Sequence, residues 1–355
     1  MNSPLPELSI IVPVLNDSVE LRGLLDCLEE QTKVNFEVIV CDGGSSDGVV
    51  ELVTAWSSRS GFALRHIQSD AGRGRQMNAG AACASGRFLL FLHADSRFTT
   101  PAALFLALQA YTHNLSASPG IMAGHFRLLF TSQDQQRSLA YFYLEAKARL
   151  NRGDCIRGDQ GYLIERHHFE LLGGFDTTLP YLEDVRMARR IADNGQWLLL
   201  PDDIVTSNRR FAQEGYVERQ VANVIIVNAM ETGWSELLTA MPALYRASTS
   251  SGRLQLHPLL CSIHDMICAH DRSWQETFWR NTGRHVAGNA WQLFFWLDVH
   301  RTFRESRGID QVKPRWLNHY LRRLKPLFHT AAAGRIARHL TKLWLRWMMY
   351  KTGRG

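Results

Sequence analysis

The stretch Arg87-Phe88-Leu89-Leu90-Phe91-Leu92-His93-Ala94-Asp95-Ser96 constrains the fold more than any other in the chain. An unbroken apolar run, Phe88 to Leu92, stops abruptly at His93-Ala94-Asp95-Ser96. A run this short, without alternation and bounded by a turn, reads as a strand buried on both faces, the condition at the centre of a parallel sheet. In open α/β sheets the ligand crevice lies just beyond the carboxyl ends of such strands. Asp95 therefore stands where a ligand would be. A plainer role for it is to cap the helix that begins near Pro101.

The chain before this stretch alternates strand and helix. Leu8 to Asn16 is β-branched and apolar and reads as strand one, followed by Leu21, Leu24, Leu25 and Leu28 on one helical face. Phe36 to Cys41 is strand two. It runs into Asp42-Gly43-Gly44-Ser45-Ser46-Asp47-Gly48, a loop of small residues with an acid at its start, suited to close approach of backbone to a ligand. A helix over 48–58 and a strand over Phe62–Ile67 follow. The alternation predicts a doubly wound, mostly parallel α/β sheet flanked by helices. Ala71-Gly72-Arg73-Gly74-Arg75-Gln76-Met77-Asn78-Ala79-Gly80 then opens a helix. Glycines and arginines at a helix start suit a phosphate, because backbone donors, the helix dipole and guanidinium groups converge there. A solvated turn would have the same composition. GxxxxGK[ST] is absent, as is a dinucleotide fingerprint after strand one.

In the second half, Ile121–Phe130 reads as a strand and 135–150 as a helix. The segment Asn151 to Gly161, with Gly158-Asp159-Gln160 near its end, is too polar and glycine-rich for a core. Tyr162-Leu163-Ile164 resumes the sheet, Gly173-Gly174 stops a helix, and Tyr181 to Ile191 starts another that carries Glu183-Asp184. Acids in a first turn are favoured by the helix dipole alone, so their position has a structural explanation as well as a chemical one.

Charge is distributed unevenly. Residues 301–355 hold 14 Lys or Arg against Glu305 and Asp310, a balance of +12, while the rest of the chain carries −6. In the last helix Ile336, Leu340, Leu343, Trp344 and Trp347 form an apolar stripe, flanked by Arg335, Arg338, Lys342 and Arg346. Such a helix either packs on the rest of the protein or lies on an anionic membrane through residues 335–350. No run reaches the ~18 apolar residues of a membrane span. The N-terminus lacks the basic and apolar regions of a signal peptide. The six scattered cysteines form no CxxC pair and fit a reducing cytosol. A cytoplasmic protein binding no nucleic acid is expected, peripheral on the cytoplasmic face of the membrane in the second of the two cases for the last helix.

The order and spacing of Pro13-Val14-Leu15-Asn16, Asp42-Gly43-Gly44-Ser45-Ser46-Asp47, Gly74 to Gly80 and His93-Ala94-Asp95-Ser96 resemble those of family 2 nucleotide-sugar glycosyltransferases, whose fold is of the GT-A type. The His-Ala-Asp-Ser form resembles the branch labelled arsenosugar-biosynthesis glycosyltransferases. The resemblance implies a GT-A domain over 1–235, with a nucleotide-sugar half (1–115) and an acceptor half (116–235), and a basic, Trp-rich helical extension over 236–355. It implies that Pro13, Val14, Asn16 and Asp42 hold the nucleobase and ribose, and that Gly74, Arg75 and Asn78 lie near the ribose and diphosphate. Asp95 would hold a divalent metal, Mg²⁺ or Mn²⁺, together with the diphosphate. His93 and Gly43 stand where the family often has acids, so Asp95 would share the ion with water and phosphate oxygens. Asp184 would be the general base, with Glu183 the fallback, and Gly158, Asp159 and Gln160 would shape the acceptor pocket. The implied activity is inverting transfer from a nucleotide-diphosphate sugar to a hydroxyl acceptor, lipid-linked if the tail reaches a membrane. Two other readings stay open: a catalytically inactive, membrane-associated binding protein, and a nucleotidyltransferase. Against the latter, the Gly/Arg loop follows strand three rather than strand one.

Overall fold

The short apolar runs form the centre of one sheet. The computed structural model describes residues 5–117, 120–131, 138–179 and 181–354. Strands β1 (Leu8–Val14), β2 (Phe36–Asp42), β3 (Ala63–Gln68) and β4 (Phe88–Phe91) lie parallel in the order β3-β2-β1-β4. Helices α1 (Ser18–Glu29), α2 (Val49–Ser57) and α3 (Arg73–Cys83) make the crossovers. β1, β2 and β4 are buried almost throughout, which is why their sequences do not alternate, whereas β3 at the edge alternates between exposed and half-buried residues. Neighbouring residues of β1 feed opposite cores. Ile10 and Val12 pack with Leu21, Leu24, Leu25 and Leu28 of α1, while Ile11 packs with Ile39, Met77 and Leu89. α3 lies tight on its face: a Cβ at Gly80 would come within 2.5 Å of both Ile11 Cγ2 and Cys41 Sγ.

Beyond β4 the sheet becomes mixed. β5 (Arg97–Phe98), α4 (Ala103–Ala117), β6 (Met122–Phe130), α5 (Leu139–Ala148), β7 (Tyr162–Glu165), α6 (Arg166–Leu171), α7 (Glu183–Asn194) and β8 (Gln196–Thr206) complete the order β3-β2-β1-β4-β7-β6-β8-β5. β7 runs antiparallel to both β4 and β6, β5 is antiparallel to β8, and β6 and β8 are parallel with a bulge between His125 and Arg127. The expected helix over 135–150 is present from Leu139 to Ala148, and its expected start lies outside the described residues.

The sheet and its helices form one compact unit, residues 1–207. The second unit, 208–355, is helical: α8 (Arg209–Glu214), α9 (Tyr216–Thr232), α10 (Ser235–Ala247), α11 (Leu256–Ala269), α12 (Arg272–Gly288), α13 (Trp291–Arg304), α14 (Arg315–His319), α15 (Lys325–Phe328) and α16 (Ala331–Thr352), with a small hairpin of β9 (Thr249–Ser250) and β10 (Arg253–Leu254). The units divide before 235, the boundary suggested by the motifs, because α9 packs against α10 and α12. Among the described residues no helix is long and apolar enough to cross a membrane.

Candidate active site

The site grows from the carboxyl ends of β1, β2 and β4. Asp42, at the end of β2, is buried, and its Oδ1 accepts hydrogen bonds from Ser45 Oγ (2.6 Å), Ser45 N (2.9 Å) and Gly44 N (3.2 Å). Burial works to raise its pKa, but the Ser45 donors and the nearby His66 outweigh it and hold the carboxyl below its ordinary range. Asn16 closes the same loop from the end of β1. Its backbone is left-handed (φ 52°), and its Oδ1 accepts from Ser46 N (2.9 Å) while its own N–H donates to Ser45 Oγ (2.9 Å). Val14 is buried, and its carbonyl accepts from Gly43 N (2.9 Å) and Gln76 Nε2 (2.7 Å); Pro13, just before it, is half-buried. The result is a pre-shaped acidic loop whose conformation is fixed by its own polar groups.

α3 brings the Gly/Arg loop to the start of α7. Gly74 is buried so closely against this region that a Cβ would lie 3.3 Å from Asp176 O and 3.3 Å from Glu183 Cβ. Arg73 donates to Glu183 Oε1 (3.2 Å), a link across 110 positions of sequence. Arg75 is exposed and donates to Ala71 O (3.2 Å). Asn78 turns to the protein: its Nδ2 donates to Phe175 O (2.9 Å) and its Oδ1 accepts from Phe175 N (2.8 Å), holding the Phe175 ring edge-on to Phe91.

Glu183 and Asp184 follow Leu182, whose left-handed backbone (φ 68°) is costly for a branched side chain and sets where α7 begins. The two acids then diverge. Glu183 is buried and turned to Arg73; burial raises its pKa, Arg73 opposes this and Asp184 adds to it. Asp184 lines a small recess together with Arg73, Met77, Phe91, His93, Gly158, Tyr162 and Phe175. Its Oδ2 accepts from Gly158 N (2.9 Å) and its Oδ1 from Val185 N (2.8 Å), and its carbonyl accepts from Tyr162 OH (3.3 Å). Gly158 sits tightly between His93 and Asp184, since a Cβ would lie 3.1 Å from His93 Nε2 and 3.3 Å from Asp184 Cβ. His93, Gly158 and Asp184 thus meet at the carboxyl end of β4.

Acidic charge gathers around this meeting point. Asp159 is pushed up to about 7 by burial and, next in size, by the charge of Asp184; Arg157 opposes the shift and Asp95 adds to it. Among the described residues the buried Asp159 Oδ1 has no hydrogen-bond partner. Asp95 is half-buried, and its Oδ2 accepts from Thr206 Oγ1 (3.3 Å). Gln160 is buried, with Nε2 donating to Cys155 O (3.0 Å). Among the described residues no three His, Cys, Asp or Glu side chains are grouped to hold an ion unaided.

Residues that sequence reasoning named and the fold gathers are therefore His93, Gly158 and Asp184 at the recess, with Asp159 under the charge of Asp184 and Asp95. Arg73, Met77, Tyr162 and Phe175 line the recess without having been singled out. Arg73 and Met77, within the Gly/Arg loop, carried a sequence signal for such a place; Tyr162 and Phe175 did not.

Residues 9–164 match the Glycosyl transferase family 2 model. The matched stretch runs from β1 through most of β7, taking in Asp42, Asp95 and Gly158 and ending before Asp184. A PGL/p-HBAD biosynthesis glycosyltransferase of Mycobacterium tuberculosis is 38% identical over 91 residues, which are 25% of this chain and 36% of that protein. A dolichyl-phosphate beta-glucosyltransferase of Dictyostelium discoideum is 31% identical over 99 residues, 25% of this chain and 30% of that protein. The chain spans about a third of the length of these curated relatives. Among solved structures, the mannosyltransferase PcManGT from Pyrobaculum calidifontis, in complex with GDP-Man and Mn²⁺, is 17% identical with a TM-score of 0.49, covering 96% of this chain and 88% of that one.

Proposed function

We propose that the chain is an inverting GT-A glycosyltransferase that moves a sugar from a nucleotide-diphosphate sugar to a hydroxyl acceptor. The observation that carries this reading is the meeting of Asp184 with His93 and Gly158 at the end of β4, within a sheet whose residues 9–164 match the family 2 model. The likeness of His93-Ala94-Asp95-Ser96 supports the arsenosugar-biosynthesis branch.

In this reading Pro13, Val14, Asn16 and Asp42 take the nucleobase and ribose, Asp42 being held as an acceptor by Ser45 and His66. Gly74 and Arg75 lie toward the diphosphate. Asn78 acts as a positioning residue through Phe175. The acceptor hydroxyl sits against Asp184 Oδ2, beside Gly158, with Asp159 and Gln160 shaping the wall behind it. Its oxygen attacks the anomeric carbon as Asp184 takes its proton; the bond from that carbon to the phosphate oxygen breaks, and the bonding pair leaves with the nucleoside diphosphate. One displacement inverts the anomeric configuration. Asp184 is preferred over Glu183 because Glu183 is buried against Arg73.

The acids beside the recess suit a hard divalent cation: among the described residues Asp159 carries an unpartnered buried oxygen, and Asp184 and Asp95 both raise its pKa, a local shortage of positive charge. Asp95 is the residue that would hold Mg²⁺ or Mn²⁺, with the donor's phosphates completing the set. Bound there, the ion would offset charge on the leaving diphosphate.

Replacing Asp184 with Asn tests the reading. Turnover should fall by roughly two to four decades, the usual loss on removing a general base, while UDP or GDP binding survives. Near-normal turnover would remove Asp184 from the role.

A further inference from the structure

Helix α16 has two apolar faces, and among the described residues only one is covered. Gly334, Ala337, Leu345 and Met348 are buried. At the crossing with α12 the backbones nearly touch: a Cβ at Gly283 would lie 2.2 Å from Gly334 O. On the opposite side Ile336, Leu340, Leu343, Trp347 and Tyr350 follow the 4-3-4-3 spacing of a single stripe, and they are 62%, 60%, 60%, 54% and 57% exposed. The stripe is about 21 Å long at 1.5 Å per residue. Scattered exposed apolar residues need no explanation, but a continuous stripe of five large ones marks a surface that is covered in use.

The charges around the stripe say what covers it. Arg335, His339 and Arg346 are exposed along one border. At the C-terminal end Lys351 Nζ lies 5.1 Å from the centre of the Trp347 ring, and the Arg354 guanidinium 4.0 Å from that of Tyr350. No Asp or Glu occurs between 331 and 354. A second copy laid along the stripe would set these bases against their like. A bilayer with anionic headgroups complements both parts: acyl chains accept the stripe, phosphates accept the bases, and aromatic rings capped by cations suit the boundary between them.

We propose that α16 lies in the plane of an anionic bilayer, with Ile336, Leu340, Leu343, Trp347 and Tyr350 inserted below the headgroups and Arg335, Arg346, Lys351 and Arg354 paired with lipid phosphates. Among the described residues no helix meets the requirements of a span, so attachment would be along the surface and reversible by salt.

The test is co-sedimentation of the full chain with vesicles of phosphatidylcholine alone and of phosphatidylcholine with one-third phosphatidylglycerol. Binding should require the anionic lipid and weaken with salt. Arg335→Gln with Arg346→Gln should lower the partition coefficient about 25-fold, at about fivefold per base. Leu340→Glu with Leu343→Glu should abolish binding, and an unchanged circular dichroism melt would show that these exposed substitutions leave the fold intact. Should this pair unfold the protein, the arginine pair alone decides. Equal, salt-insensitive binding to both vesicle types, or variants that bind like the parent, would overturn the proposal. So would a dimer that the glutamate pair converts to monomer while no vesicle binds.

Discussion

Asp159→Asn isolates the electrostatics of the recess. In the unfolded chain this carboxyl ionises at its ordinary 3.8; in the fold, burial and the charge of Asp184 move it up to about 7. Between those values the folded protein keeps a proton that the unfolded chain has released. Stability therefore falls as pH rises through that window and is constant below it and above it. At about 1.4 kcal/mol per pH unit the full window has a ceiling of about 4 kcal/mol, and partial water access to this half-buried side chain reduces it to about 1–3 kcal/mol. Asn matches the neutral acid in shape and cannot ionise. The substitution should thus leave stability nearly unchanged at pH 4 and raise it by about 1–3 kcal/mol at pH 8. Amide hydrogen exchange over β4 and β7, in EDTA so that no ion contributes, reads the opening free energy of the unit that holds Asp159. A difference between variant and parent that is the same at both pH values would show that Asp159 ionises as freely in the fold as out of it, and the charge argument would fail.

Two further substitutions probe the metal and positioning roles proposed around the site. Asp95→Ala should weaken nucleotide-diphosphate binding far more in Mg²⁺ or Mn²⁺ than in EDTA, measured by calorimetry, because the acid acts through the ion; equal losses would show that it holds none. Asn78→Asp keeps the acceptor for Phe175 N but sets a carboxylate against Phe175 O. It should lower the urea-unfolding free energy by about 1–3 kcal/mol, the cost of an unsatisfied buried partner, and raise KM more than it lowers kcat.

Much of the sheet was legible because β1, β2 and β4 are buried on both faces and carry unbroken apolar runs, each ended by the polar residues that now form the site. The direction of β7 was not: Tyr162-Leu163-Ile164 reads the same whether it joins β4 parallel or antiparallel. The Arg73–Glu183 link was also hidden, because nothing local connects residues 110 positions apart. The resemblance implies that Asn78 lies near the ribose and diphosphate; that its amide bonds the Phe175 backbone on both sides was not legible, since Phe175 is far away in sequence. In α16 the periodicity found the large apolar residues but not which face they serve. The face that packs uses Gly334 and Ala337, since close approach to Gly283 of α12 needs small residues and leaves the larger ones outside.

The most direct measurement is a transfer and hydrolysis assay of the full chain with a panel of UDP- and GDP-sugars, with Mg²⁺, Mn²⁺ or EDTA, reading nucleoside diphosphate release and the anomeric configuration of the sugar released or transferred. The account predicts that at least one donor is turned over to free nucleoside diphosphate, with inverted configuration and with loss of activity in Asp184→Asn. Tight donor binding without turnover would make the chain a binding protein, conversion of the donor to nucleoside triphosphate and sugar 1-phosphate when pyrophosphate is added would make it a nucleotidyltransferase, and retained configuration would contradict the single displacement at Asp184.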